Sequence, residues 1–401
     1  MIIGNSRHSA QRLRILVLGC IVRMPWGGLA WHHLQYLLGL AEMGHDVWFL
    51  EDSTDQACCY NPQTYESSED PTYGLRFLGS VLARLQLGER WAYYDAHSST
   101  WLGPASGQAP ELCASADLLL NLSCVNPLRP WTRDVPVRAL VDTDPVFVQV
   151  RHLTNLEARE AAEQHNRFFS FGENIRRGAT MPDDGLEWLP TRQPIVLDAW
   201  PSIAAPADGR FTTVMQWDSY REAVWDARSF GMKSASFDPY IDVPQRVGAE
   251  LEIALAGAPQ VDRLRLQAAG WKLRDPQALN DDPWEYQRYL QSSKAEFTVC
   301  KEAYVKARTG WFSERSAAYL ASGRPVVTQD SGFSTWLPCG EGVLPFSSPE
   351  EAVLSVEKVI ADYKAHSQAA RGIAAAYFDH RQVLGAMIEA AMSFSPAEPH
   401  A

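Results

Sequence analysis

Short apolar runs bounded by polar turns recur along the chain and read as buried strands: Ile15–Cys20, Val47–Leu50, Leu118–Leu122, Arg138–Val141 and Phe168–Phe171. Between the first two lies a longer stretch, Ala30–Met43, with helical periodicity, and Gly44 follows it at the C-cap position. Strand, helix and strand in that order predict a βαβ opening and a parallel sheet. The segment 53–110 reads as a long excursion with a helix near 75–87. Polar residues gather where the strands end, at Asn121-Leu122-Ser123, Asp142-Thr143-Asp144-Pro145 and Gly172-Glu173-Asn174. Open α/β sheets collect their ligands at that edge.

Prolines 182, 190, 194, 201 and 206 then interrupt any regular element. Past them the alternation restarts, with strands expected at Phe211–Met215, Leu251–Leu255, Trp271–Leu273, Glu296–Cys300 and Pro325–Thr328. Helices are expected at Ser313–Ser322, Pro349–His366, Gln368–Phe378 and Val383–Met392. The pattern predicts two Rossmann-like α/β domains facing a cleft, at 12–185 and 210–378, with a linker at 186–209. A last helix, within 379–394, returns to the first domain. Residues 1–11 and 393–401 read as loose ends.

Composition narrows the function. The 401 residues are 46% hydrophobic and 21% charged, which fits folded domains with real cores. A formal charge of -12 argues against general nucleic-acid binding, which rests on clustered Lys and Arg. A small anionic ligand needs only a few local donors. The seven cysteines have no CxxC spacing, so no zinc ribbon is expected and a reducing cytoplasm is the simplest setting. The run Ile15–Val22 imitates a signal peptide, but Arg23 and Pro25 end it and a helical pattern follows. No apolar run reaches membrane-spanning length.

The strongest chemical signal is the stretch Arg308-Thr309-Gly310-Trp311-Phe312-Ser313-Glu314-Arg315, followed by a helix, Gly323 and the strand residues Pro325-Val326-Val327. A glycine turn leads into a helix whose N-terminus offers free N–H groups and roughly half a positive charge, a setting for a diphosphate. Arg308 can add a charge-assisted contact. Local physics leaves open a plain helix–turn–strand unit with Arg308 in a surface ion pair.

This stretch resembles the donor-binding core of GT-B glycosyltransferases of the bacterial family 1/4 type, whose variants read G-W-x-S…A-x-G-x-P-V-V. Gln329-Asp330-Ser331-Gly332-Phe333 and Gly340-Glu341-Gly342-Val343 resemble that family's sugar-contacting glycine loop and the strand after it. The likeness is good over about 290–392 and moderate over 12–52. It implies a GT-B fold and sugar transfer from a UDP- or dTDP-type nucleotide-diphosphate sugar to an acceptor, with no metal or other cofactor. It places the donor on Arg308, Gly310, Ser313, Glu314, Gly332 and Phe333. The sequence departs from the family at the paired glutamates, whose positions fall on Gly310 and Ala318.

Further candidates follow. Thr213, on the first strand of the second half, and Lys301, after the strand Glu296–Cys300, are placed at the donor; a strand hydroxyl and a solvated lysine are the structural alternatives. Gly27-Gly28 lets the first loop approach a ligand closely. His32 or His33, at the helix start after it, is the candidate base, with Asp142 or Asp144 to orient it and Asp142 as the substitute base. A structural histidine is the alternative. Asp142-Thr143-Asp144 is formally D-x-D, but its place in the first half favours an acceptor-side role. Most of the fourteen tryptophans read as packing. Two other functions share the scaffold: a nucleotide-sugar epimerase or hydrolase, and a non-catalytic sugar-nucleotide-binding activator of another transferase.

Overall fold

The computed structural model describes residues 12–204, 206 and 208–393. Both expected loose ends fall largely outside them, at 1–11 and 394–401. The first half builds β1 (Arg14–Leu18), β2 (Asp46–Asp52), a small hairpin of β3 (Cys59–Asn61) and β4 (Glu66–Ser68), β5 (Trp91–Asp95), β6 (Thr100–Leu102), β7 (Leu118–Leu122), β8 (Val137–Asp142), β9 (Arg167–Ser170) and β10 (Trp188–Pro190). Its main sheet runs β10-β9-β8-β7-β1-β2-β5-β6. Every pairing is parallel except β5 with β6. Ile15, Leu16 and Val17 on β1 and Leu118, Leu119 and Leu120 on β7 are wholly buried, because helices cover both faces of a parallel sheet.

The second half builds β11 (Phe211–Gln216), the hairpin β12 (Ala223–Trp225) and β13 (Arg228–Phe230), β14 (Leu251–Ala256), β15 (Lys272–Arg274), β16 (Ala295–Thr298), β17 (Val326–Gln329) and β18 (Val343–Phe346). Its sheet runs β15-β14-β11-β16-β17-β18, parallel throughout. No strand is shared between the two main sheets. The linker expected at 186–209 starts too early, because Trp188–Pro190 pairs with β9 and closes the first sheet. Proline at a sheet edge costs no ladder bond, which is why Pro190 did not mark the boundary it suggested.

The expected helix Pro349–His366 breaks at Asp362, whose side chain caps a new helix by accepting from the Ala365 N–H. The last helix, His380–Met392, packs back on the first half. At Gly39 of the Gly27–Glu42 helix a Cβ would lie 2.8 Å from Leu384 and 2.9 Å from His380, so glycine sets the approach. The two chain crossings between the halves are themselves joined: Ile195 N–H donates to Phe378 O at 2.6 Å, and His380 N–H donates to Ile195 O at 3.0 Å. Trp31 and Trp200 meet edge to face 5.0 Å apart within one apolar cluster that runs through both halves. No described helix is long and apolar enough to cross a membrane.

Candidate functional site

Parallel strands point their C-terminal ends one way, so the loops after β1, β8 and β9 meet those after β11, β16 and β17. Glu51, at the end of β2, organises the first loop. Its carboxylate accepts N–H bonds from Ile21 at 2.6 Å and Val22 and Arg23 at 2.8 Å, and pairs with the Arg23 guanidinium. Burial pushes its pKa up against those contacts. The loop delivers the chain to Gly27, where the helix begins without a side-chain cap. Gly27 and Gly28 do permit a close approach, but to the second half. A Cβ on Gly27 would lie 3.0 Å from Asp282 O, and one on Gly28 2.9 Å from the Tyr286 ring. The Trp31 indole donates to Pro283 O at 2.6 Å.

The two histidines separate cleanly. His33 is fully buried; its Nε2 accepts from the Cys20 N–H and its Nδ1 donates to Leu29 O. Burial holds its pKa near 3. With both nitrogens engaged, His33 has no lone pair for a substrate proton, and the expectation that it serves as a base is corrected. His32 Nδ1 lies 2.6 Å from Gln193 Oε1, an acceptor, so the proton sits on Nδ1. Its buried Nε2 has no hydrogen-bond partner among the described residues, and His32 lines a void of about 10 Å³, room for about one water, shared with Gly28, Gln35, Tyr286, Glu314 and Arg315. Burial lowers the His32 pKa, favouring the neutral ring.

Asp142 does not orient either histidine. It is wholly buried, and accepts from Gln149 Nε2 at 3.0 Å, Ser170 Oγ at 2.7 Å and the Asp144 N–H at 2.8 Å. Burial raises its pKa to about 6. It pins the loop after β8. Asp144 on that loop faces the second half instead, against Lys301 Nζ at 2.9 and 3.0 Å and the Tyr304 hydroxyl.

On the second half, Ser313 caps the Glu314–Ala321 helix by accepting from the Arg315 N–H at 3.2 Å. Arg315 turns inward, donating to Glu296 at 2.6 Å, Val214 O at 2.8 Å and Thr298 Oγ1 at 3.1 Å. The half-buried Lys233 lies within the electrostatic reach of Arg315, Lys301 and Glu296; burial pushes its pKa down to about 7, and Arg315 adds to the shift. Thr213 is corrected as a donor ligand, since its hydroxyl is buried inside the sheet and donates to Thr298 at 3.2 Å. The Phe333 ring is likewise buried, edge-on to Phe312 at 5.2 Å, so only its backbone is left to border a ligand.

Gly310 and Gly332 come together because the Gly310 N–H donates to Ser331 O at 2.9 Å and the turns on either side are clamped by Asn174. Its Nδ2 donates to Arg308 O at 3.1 Å and Gly332 O at 3.0 Å, its Oδ1 accepts from Thr335, and its N–H donates to Thr309 O. Both glycines have positive φ, 74° and 95°. A Cβ on Gly310 would meet Asn174 at 2.8 Å, so its place in the sequence reflects packing between the halves as well as turn geometry. Arg308 is exposed on the rim, and its side chain makes no hydrogen bond or ion pair among the described residues.

Sequence reasoning named Asn174 only as a strand-closing residue and passed over Lys233, Arg315 and Gln193 as site residues. Lys233 carries no motif. Arg315 sits two residues beyond Ser313, in the first helical turn facing a strand end, and that position was a legible signal.

No protein-family model matches the sequence, and neither does any curated protein. Solved structures do match in shape. An α-glucosyltransferase in complex with UDP-glucose and DNA containing an abasic site aligns with a TM-score of 0.58 at 9% identity, over 95% of this chain and 100% of that one. AviGT4, a glycosyltransferase involved in avilamycin A biosynthesis, aligns at 0.53 and 14% identity, over 94% and 97%. Sucrose-phosphate synthase from Thermosynechococcus elongatus aligns at 0.51 and 12% identity, over 96% and 100%. Two facing Rossmann-like halves with a returning C-terminal helix define a fold class, and these alignments identify it. This chain has the GT-B fold.

Proposed function

We propose that the protein is a glycosyltransferase that passes a sugar from a UDP- or dTDP-type nucleotide-diphosphate sugar to an acceptor hydroxyl, without needing a metal ion. The observation that carries this reading is the Ser313-capped start of the Glu314–Ala321 helix beside His32, with Lys301 held by Asp144 across the cleft and Lys233 within the electrostatic reach of both Lys301 and Arg315. A departing diphosphate carries its charge into that field, and preorganised donors in a closed cleft stabilise it strongly. The fold neighbours named above include one holding UDP-glucose.

In the proposed step the acceptor oxygen bonds to the anomeric carbon as the bond from that carbon to the phosphate oxygen breaks. The nucleoside diphosphate leaves with the electron pair. Lys233 and the helix N-terminus receive the charge, and Gly310 and Gly332 border the sugar with backbone only. Lys301 joins them when it leaves Asp144. Ser313 and Glu314 shape the helix start. His32 Nε2 takes the acceptor proton if configuration inverts, with Gln193 holding the required tautomer. The void beside it is too small for a sugar, so the halves must part to load substrates.

The test is thermal unfolding with UDP, dTDP and their sugars, with and without a chelator. A ligand at about a hundred times its Kd should stabilise by about 2.7 kcal/mol. Stabilisation by nucleoside diphosphates that survives the chelator supports the reading; no response to any of them overturns it. Donor consumption that water alone sustains, at the rate seen with any acceptor, would make the protein a hydrolase on the same scaffold.

A further inference from the structure

Five basic residues lie on three adjoining segments at one rim of the cleft. Arg176 and Arg177 are exposed on the loop after β9. That loop runs beside residues 306–309, tied by Asn174 N–H to Thr309 O at 3.0 Å and Thr180 N–H to Ala307 O at 2.9 Å. Lys306 and Arg308 therefore adjoin it. The third segment is β13, whose Arg228 donates to Thr180 O at 3.2 Å while Lys306 Nζ donates to Ser229 O at 2.7 Å.

The nearby carboxylates are engaged away from Arg176, Arg177 and Arg308, one of them with Lys306. Glu173 is buried and paired with Arg192, Glu302 lies 3.5 Å from Lys306 and accepts from the Gly231 N–H, and Asp183 accepts from the Gly185 N–H. The field of Arg177 reaches Glu173. None of Arg176, Arg177 and Arg308 is within ion-pair distance of a carboxylate among the described residues. In a chain of net charge -12 such a group of guanidinium ions is a local feature and not a consequence of composition. It also abuts the clamp, since Asn174 holds the backbone of Arg308 and Gly332 together.

Resting on the glycosyltransferase reading, we propose that the acceptor is an anion. It is a hydroxyl compound carrying a phosphate or carboxylate group, which Arg176, Arg177 and Arg308 hold at the rim while its hydroxyl enters the cleft. Guanidinium forks match the paired oxygens of both groups. Lys306 and Arg228 strengthen the local potential. Among the described residues these three arginines have no ion pair to give up.

The test titrates the UDP-loaded protein with inorganic phosphate, glucose 6-phosphate and glucose, following arginine side-chain resonances. Wild type is compared with the double variant R176E/R177E. Saturable shifts are expected with both phosphates and not with glucose, weakened at least about tenfold by loss of charge-assisted bonds in the variant. UDP affinity should be equal in both proteins. Glucose 6-phosphate binding no tighter than glucose, or equally tight in the variant, overturns the proposal. So does sedimentation with phosphatidylglycerol vesicles without any response to glucose 6-phosphate, which would assign the rim to a membrane surface. If UDP does not bind, the glycosyltransferase reading fails, and the phosphate titration on the free protein still decides the rim.

Discussion

Lys301 and Asp144 face each other across the cleft, with Nζ 2.9 and 3.0 Å from the two carboxylate oxygens. Lys301 belongs to the loop after β16 and Asp144 to the loop after β8. The rings of Phe147, Tyr220 and Tyr304 surround the ammonium at 4.8, 4.6 and 5.4 Å. An incoming diphosphate competes with Asp144 for this cation. Asp144→Asn should therefore tighten nucleoside-diphosphate binding by about 1 kcal/mol, and Lys301→Ala should weaken it by about 1.5–3 kcal/mol. Calorimetry with UDP decides. If Lys301→Ala lowers only the unfolding temperature, the pair is a structural latch.

Lys233 should make donor binding depend on pH. Its pKa of about 7 leaves much of the amine neutral in the free protein, and a bound diphosphate favours the charged form. Affinity should fall as pH rises from 7 to 9, above the phosphate's own pKa of about 6. Binding at pH 8 should take up a proton, visible as a dependence of calorimetric enthalpy on the buffer's ionisation enthalpy. Lys233→Arg, charged throughout, should remove the dependence. A wild-type affinity flat across that range would exclude Lys233 from the site.

His32→Ala should lower turnover by about 10²–10⁴ while leaving UDP affinity intact. Gln193→Leu should produce a smaller loss, because it frees the tautomer without removing the ring. His33→Ala should instead reduce stability, since it opens a space under Gly19 and abandons the Cys20 N–H. Turnover and unfolding temperature measured on the same three variants separate these roles. Full activity in His32→Ala would move the base elsewhere or point to retained configuration.

Asp142→Asn should destabilise by about 1–3 kcal/mol near pH 7, because the amide sets a donor against three donors already aimed at the carboxylate. The carboxylate also gives stability a pH dependence. Its folded pKa, about 6, lies above the ordinary 3.8. The unfolded chain thus holds fewer protons at this group between those values, and its contribution to stability is lost as pH rises through 6. Denaturant midpoints between pH 4 and 7.5 should show this fall in wild type and a flatter profile in the variant.

The sequence by itself determined the architecture. Apolar runs such as Ile15–Cys20 and Leu118–Leu122 have strand length, the intervening periodicity is helical, and the prolines after 190 separate two repeats of that pattern. These are local properties, set by backbone sterics and burial over a few residues. It also located the glycine turn at Gly310 and the helix start at Ser313, because caps and turns are read from neighbours in the chain. The tertiary structure decided which side chains are available. His32 and His33 are adjacent in sequence, yet only His32 keeps a free nitrogen among the described residues, because folding lays the Cys20 N–H against His33 Nε2 and leaves His32 with Gln193 alone. The side chains of Thr213 and Phe333 are taken up by partners elsewhere in the chain, Thr298 and Phe312. Lys233 acquired its shifted amine only when folding buried it, with Arg315 adding to the effect. Electrostatics and hydrogen-bond saturation depend on distances through space, and the spacing of residues along one chain does not fix them.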